Sequence, residues 1–173
     1  MKTIEQYIET DFSDKISRKR NSPIVALLIL VVGIAMLVLL RTVRMDDTLS
    51  ATCLTVGIIA TAIGVILTAM NFSGAMTHYV YLPTYSRMRD KNVYVSSDDY
   101  KSISQAVNDG NLQPLTGIRP LVSSNSALRV LASNDGECVI VQALRDQGGH
   151  FEPETNVYVF SGTSAAALLY LVK

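Results

Sequence analysis

The chain has 173 residues, with fifteen Lys and Arg balancing fifteen Asp and Glu, and nearly half its side chains are hydrophobic. A neutral chain with no basic stripe lacks the electrostatic footprint of nucleic-acid binding, so that class is set aside. Two cysteines, one in an apolar run and one in an apparent core strand, exclude a disulfide-stapled scaffold and agree with a reducing compartment.

Residues 1–22 form an N-terminal arm that reads as an amphipathic helix over residues 3 to 18. Ile4, Ile8, Phe12 and Ile16 recur every fourth residue with Tyr7 beside them, and Thr3 with Gln6 makes a capping box. This apolar face needs a cover, which makes Ile4, Tyr7, Ile8, Phe12 and Ile16 a candidate docking face. The cover could be the membrane surface, the chain's own soluble domain or a second protein. Glu5, Glu9, Asp11 and Asp14 make the polar face too acidic for an ordinary lipid-binding helix, which tilts the reading towards protein.

Between Arg20 and Arg41, and again between Asp47 and Arg87, no side chain carries a formal charge. Residues 23–40 predict a first membrane span: eighteen residues at ~1.5 Å each reach ~27 Å, close to the hydrocarbon core of a bilayer. Pro23 suits a first helical turn, and Arg41 closes the other end at the interface. A cleaved signal peptide fits less well, because the preceding segment is long and the residues after Leu40 do not resemble a small-residue cleavage site.

A connecting loop over residues 41–50 leads to a second span over residues 51–72, with Ser50 as its N-cap and Asn71, Phe72, Ser73 and Gly74 ending it. Thr52, Thr55, Thr61 and Thr68 are tolerable in lipid because each hydroxyl can bond back to a carbonyl one turn earlier. Cys53, Gly57, Thr61, Gly64 and Thr68 line one face with small side chains, a candidate helix-packing seam. It would pack on the first span, where Ala26 and Gly33 offer a smaller match, or on another protein or a second copy of the chain. Lys15, Arg18, Lys19 and Arg20 before the first span, with Arg87, Arg89 and Lys91 after the second, outvote Arg41 and Arg44 in the loop. The positive-inside rule then places both termini and the soluble domain on the cytoplasmic side of the cell (inner) membrane.

Residues 77–173 predict a small soluble α+β domain. Tyr79, Tyr81 and Tyr85 alternate along an extended segment that Pro83 interrupts, which suits an edge strand or a tyrosine belt at the headgroups. A short strand at Asn92 to Val95 follows. Ser96 and Ser97 with Asp98 and Asp99 then start a helix bearing Tyr100, Ile103 and Val107 on one face, and Gly110 stops it. Beyond a connection punctuated by Pro114, Gly117 and Pro120, strands at Ala127 to Ser133 and Glu137 to Leu144 flank the tight turn Asn134, Asp135, Gly136. The run Cys138 to Val141 is continuously apolar, as in a central strand covered on both faces. Val157 to Phe160 adds a strand, and the residues after Gly162 close the domain with a helix.

Chemistry is sparse. His150, Glu152 and Glu154 alternate beside two glycines, a loop with little power to fix a metal. His78 reads as an interfacial polar residue, and Ser161, Gly162, Thr163 and Ser164 as a helix cap without the lysine of a phosphate loop. Asp98 and Asp99 suit a helix's first turn. No catalytic, cofactor or metal site is expected. The fold class is therefore a two-helix transmembrane hairpin plus a small α+β domain with a short antiparallel sheet. The expected function is a non-enzymatic, membrane-anchored interaction module or accessory subunit whose partners are the lipid bilayer and a protein or second copy. The alternative is a sensor whose soluble domain binds a small molecule, beside Arg119, Arg129 or Arg145, and alters span packing.

Overall fold

A computed structural model of the chain describes residues 1–42, 46–73 and 77–172. It divides into two compact units, Met1–Arg18 with His78–Lys173, and Lys19–Thr77. Arg44 of the expected connecting loop, Gly74 of the cluster expected to end the second span, and Lys173 lie outside the described residues.

The first helix, α1 (Ile4–Asp11), starts at the capping box read from the sequence. The Gln6 amide donates to Thr3 Oγ1 at 3.3 Å, and the Thr3 amide donates to the Gln6 side-chain oxygen at 3.0 Å. The helix is shorter than the expected 3 to 18. It ends at Phe12, whose φ of −135° is not helical, and Ile16–Arg20 is a strand, β1. Ser13 and Asp14, both turn-forming residues, break the helix although the every-fourth apolar pattern runs on to Ile16.

The second unit holds two helices long and apolar enough to cross a membrane, α2 (Ile24–Thr42) and α3 (Asp47–Phe72). α3 begins earlier than expected. Its N-cap is Asp46 rather than Ser50, which lies inside the helix, and Asp47 in the first turn favours the helix dipole.

The remaining strands are β2 (Thr77–Tyr81), β3 (Ser86–Tyr94), β4 (Ser126–Ser133), β5 (Cys138–Asp146), β6 (Phe151–Pro153) and β7 (Tyr158–Ser161). They form a curled sheet in the order β1-β2-β3-β4-β5-β6, with β7 also beside β5. Every recorded pairing from β2 onward is antiparallel. The turn Asn134–Glu137 joins β4 to β5, with Gly136 at φ +81° and its amide donating to the Ser133 carbonyl. β6 and β7 flank opposite halves of β5, and their registers differ by two residues, so the chain carries a bulge between Pro153 and Tyr158. Thr155, fully buried, ties the bulge down: its hydroxyl accepts the Ala143 amide at 3.0 Å.

Strand alternation divides the core into two layers. On one face Val93, Leu128, Val130, Ala132, Val139, Val141, Ala143 and Phe160 pack under the helices. Those helices are α4 (Ser97–Asp109), α5 (Leu112–Thr116) and α6 (Thr163–Leu168), closed by a 3₁₀ turn at Leu169–Val172. On the other face Met88, Leu131, Cys138 and Ile140 meet Ile4, Ile8 and Ile16. β5 is covered on both sides, as its unbroken apolar run required. α4 starts where the sequence placed it, with Ser96 Oγ accepting the Asp98 amide, and Gly110 in the left-handed region at φ +67° stops it.

Candidate functional site

The small-residue seam of α3 lies against α2. A Cβ built on Gly33 would fall 2.5 Å from the Thr61 nitrogen, one on Gly64 2.6 Å from the Leu30 Cα, and one on Gly57 2.9 Å from a Leu37 methyl. The pairs 33 with 61, 30 with 64 and 37 with 57 share one antiparallel register, in which Ala26, itself buried, faces Thr68. Of the five seam residues, Gly57 and Gly64 are buried while Cys53, Thr61 and Thr68 are half-buried. The seam is thus occupied within the chain. Thr52, Thr55 and Thr61 bond back to carbonyls one turn earlier at 2.7–2.9 Å, whereas the buried Thr68 hydroxyl finds no partner among the described residues. The opposite sides of both helices are apolar and open: Val25, Val31, Ile58 and Ile66 each expose more than half their surface.

The candidate docking face of the arm is also taken. Ile4, Ile8 and Ile16 are buried against the chain's own sheet, with Phe12 partly buried beside them. Tyr7 stacks on Phe12 at 5.9 Å between ring centres and remains half-exposed at the margin. Of the three covers the sequence allows for this face, the chain's own soluble unit is the one that lies against it. Two polar ties lock it. Arg129 on β4 reaches Glu5 of α1 and Asp90 of β3 at 2.6 Å each, and the buried Gln142 side chain donates to the Lys2 carbonyl at 2.8 Å and to the Thr155 carbonyl at 3.0 Å. Burial opposes ionisation of Glu5, but the hydrogen bond and charge of Arg129 outweigh it and hold the carboxyl below its ordinary range.

The three arginines singled out for a ligand each border a depression. Arg119 lines one of about 210 Å³ between α4 and α5, Arg129 one of about 370 Å³ beside Phe151, and Arg145 one of about 490 Å³ with Lys101, Ser104 and Asn108 of α4. All are open and lined with polar groups, unlike a deep apolar pocket. Arg145 is already engaged, with Nε 3.1 Å from Glu154 and the guanidinium 5.0 Å from the centre of the Tyr100 ring. Tyr100 donates to the same Glu154 carboxylate at 2.9 Å, and burial together with that carboxylate pushes its hydroxyl well above the ordinary tyrosine value. Cys138 is buried among apolar groups, which with nearby Asp135 pushes its thiol up to about 11 and leaves it a packing residue.

Among the described residues no three His, Cys, Asp or Glu side chains converge as a metal would require. Comparison with protein families, characterised proteins and solved structures found no match. Sequence reasoning missed the Arg129–Glu5–Asp90 clamp and the Tyr100–Glu154–Arg145 cluster. Arg129 meets Glu5 and Asp90, and Tyr100 meets Glu154, across tens of positions, and only strand register and the packing of α1 and α4 on the sheet bring them together.

Proposed function

We propose that the chain is a membrane-anchored, non-enzymatic interaction module or accessory subunit, with α2 and α3 as a transmembrane hairpin and the α+β unit as its cytoplasmic part. One observation carries the reading. α2 and α3 keep their small residues for each other and turn large apolar side chains outward over their whole length, an arrangement that water penalises and lipid does not. The non-enzymatic part is supported by the use of charge within the soluble unit, where Arg129 and Arg145 serve as internal ties rather than standing free over a cleft. With the arm's apolar face covered, a protein partner or second copy would meet the outer polar surface or the lipid-facing sides of the helices. The sensor alternative draws less support, since its candidate arginines border open polar depressions.

The test is crosslinking in intact cells, purification of the tagged full chain in mild detergent, and mass spectrometry of what co-elutes. A single partner, or a second copy, at comparable stoichiometry supports the module; recovery of the monomeric chain alone overturns it.

A further inference from the structure

The two segments that hold β1, and β2 with most of β3, residues 15–20 and 77–91, are strongly cationic. They carry Lys15, Arg18, Lys19, Arg20, Arg87, Arg89 and Lys91, seven of the chain's fifteen Lys and Arg. Their one acid, Asp90, is already held by Arg129. Three of these cations form a short row, which the chain's neutral charge balance conceals and the sequence reading of no basic stripe misses. Arg87, Arg89 and Lys91 alternate along β3 and so share one face of the strand; all are exposed, and among the described residues none has an ion-pair or hydrogen-bond partner for its side chain. Neighbours in such a row stand about 7 Å apart, inside the screening length of physiological salt, so they repel unless an anion lies against them.

The row also sits where the chain turns back. Thr77 is five residues beyond Phe72, a reach of at most ~18 Å. Val80 faces Arg87 across the hairpin, so β3 runs antiparallel to β2, back in the direction from which the chain enters β2. A polyanion tethered at that distance acts at high effective concentration, and the bilayer surface is the one the chain carries with it.

We propose that Arg87, Arg89 and Lys91 dock the folded unit onto anionic phospholipid headgroups of the bilayer that holds α2 and α3. This inference rests on the membrane-anchor reading and adds the lipid class that the soluble unit recognises. An acidic protein segment is the competing occupant. The bilayer is preferred because the short connection keeps it within reach, whereas among the described residues no acidic side chain pairs with the row.

The test uses the full chain with Cys53→Ala and a bimane fluorophore on Asn92→Cys, an exposed β3 position; the buried Cys138 stays unlabelled. The protein is reconstituted into vesicles of phosphatidylcholine alone, or with a third phosphatidylglycerol, each containing a nitroxide-headgroup lipid as quencher. Quenching should rise with the anionic lipid and fall in high salt. The triple variant R87Q/R89Q/K91Q should lose the response, with the docked-to-undocked ratio falling on the order of fivefold per cation. The charge-conserving R87K/R89K should keep it. Quenching that ignores phosphatidylglycerol, or is equal in the triple variant, overturns headgroup docking while leaving the anchor intact. Failure of the chain to float with either vesicle after an alkaline wash overturns the anchor reading, and docking with it.

Discussion

Gly64→Val is the sharpest perturbation of the helix pair. The first added carbon would stand 2.6 Å from the Leu30 Cα and 2.7 Å from its nitrogen, and both are backbone atoms that cannot swing aside. Ordinary contact begins at 3.4 Å, so the helices must part locally by roughly 0.8 Å. A gap of that size forfeits a quarter to a half of the dispersion between atoms facing across it, and overpacking of this kind costs about 1–3 kcal/mol. The same register extends the loss to the neighbouring contacts of Gly33 with Thr61 and Gly57 with Leu37. Ile66→Ala is the control, because Ile66 is 58% exposed on the outward side of α3. The assay is steric trapping or SDS titration of the reconstituted chain, reporting separation of α2 from α3. Gly64→Val should lower the midpoint and Ile66→Ala should leave it nearly unchanged. Equal effects of the two variants would refute the seam.

On the soluble unit, Ile8→Ala removes most of a side chain buried against the sheet and should weaken α1 docking by about 2–4 kcal/mol, read as faster amide exchange over residues 4–11 in the full chain. The Arg129–Glu5 bridge gives that docking a pH dependence. Because the folded carboxyl lies below its ordinary 4.5, its contribution is complete above that value and is lost as pH falls through the lowered one. Exchange corrected for its intrinsic rate should therefore rise as pH falls below that ordinary value in the native chain, and Glu5→Gln should flatten that rise. Cys138, with its thiol pushed up to about 11, should resist alkylation at pH 8 while folded and react once denaturant opens the sheet; prompt reaction in the native state would contradict the packing described.

Much of the fold was legible wherever a local rule and the tertiary environment agree. The charge-free runs became α2 and α3, Ser96 and Gly110 bound α4, and the Asn134–Gly136 turn joins two strands with the central one covered on both faces. The arm shows where local pattern misleads. Ile16 continues the fourfold spacing of Ile4, Ile8 and Phe12, yet it enters the same core from a strand, because a short helix and a strand can both turn a residue towards one sheet face. β3 was half hidden for the opposite reason. From Ser86 to Lys91 its one buried side chain is Met88, and the charged residues around it carry no strand signal; pairing with β4 creates the strand. Of the candidate sites, the seam and its match at Ala26 and Gly33 could be read from spacing, but the register that sets Gly33, Leu30 and Leu37 opposite its members came only with the packed helices.

The most direct test of the central claim, that α2 and α3 form a hairpin through a bilayer, is the sidedness of two engineered cysteines in a Cys53→Ala background. One replaces Asp47 at the start of α3 and the other replaces Asn92 on β3. A membrane-impermeant thiol reagent added to intact cells should label the first and reach the second only after permeabilisation. Labelling of both positions from the same side, or release of the chain into the soluble fraction at alkaline pH, would contradict the hairpin.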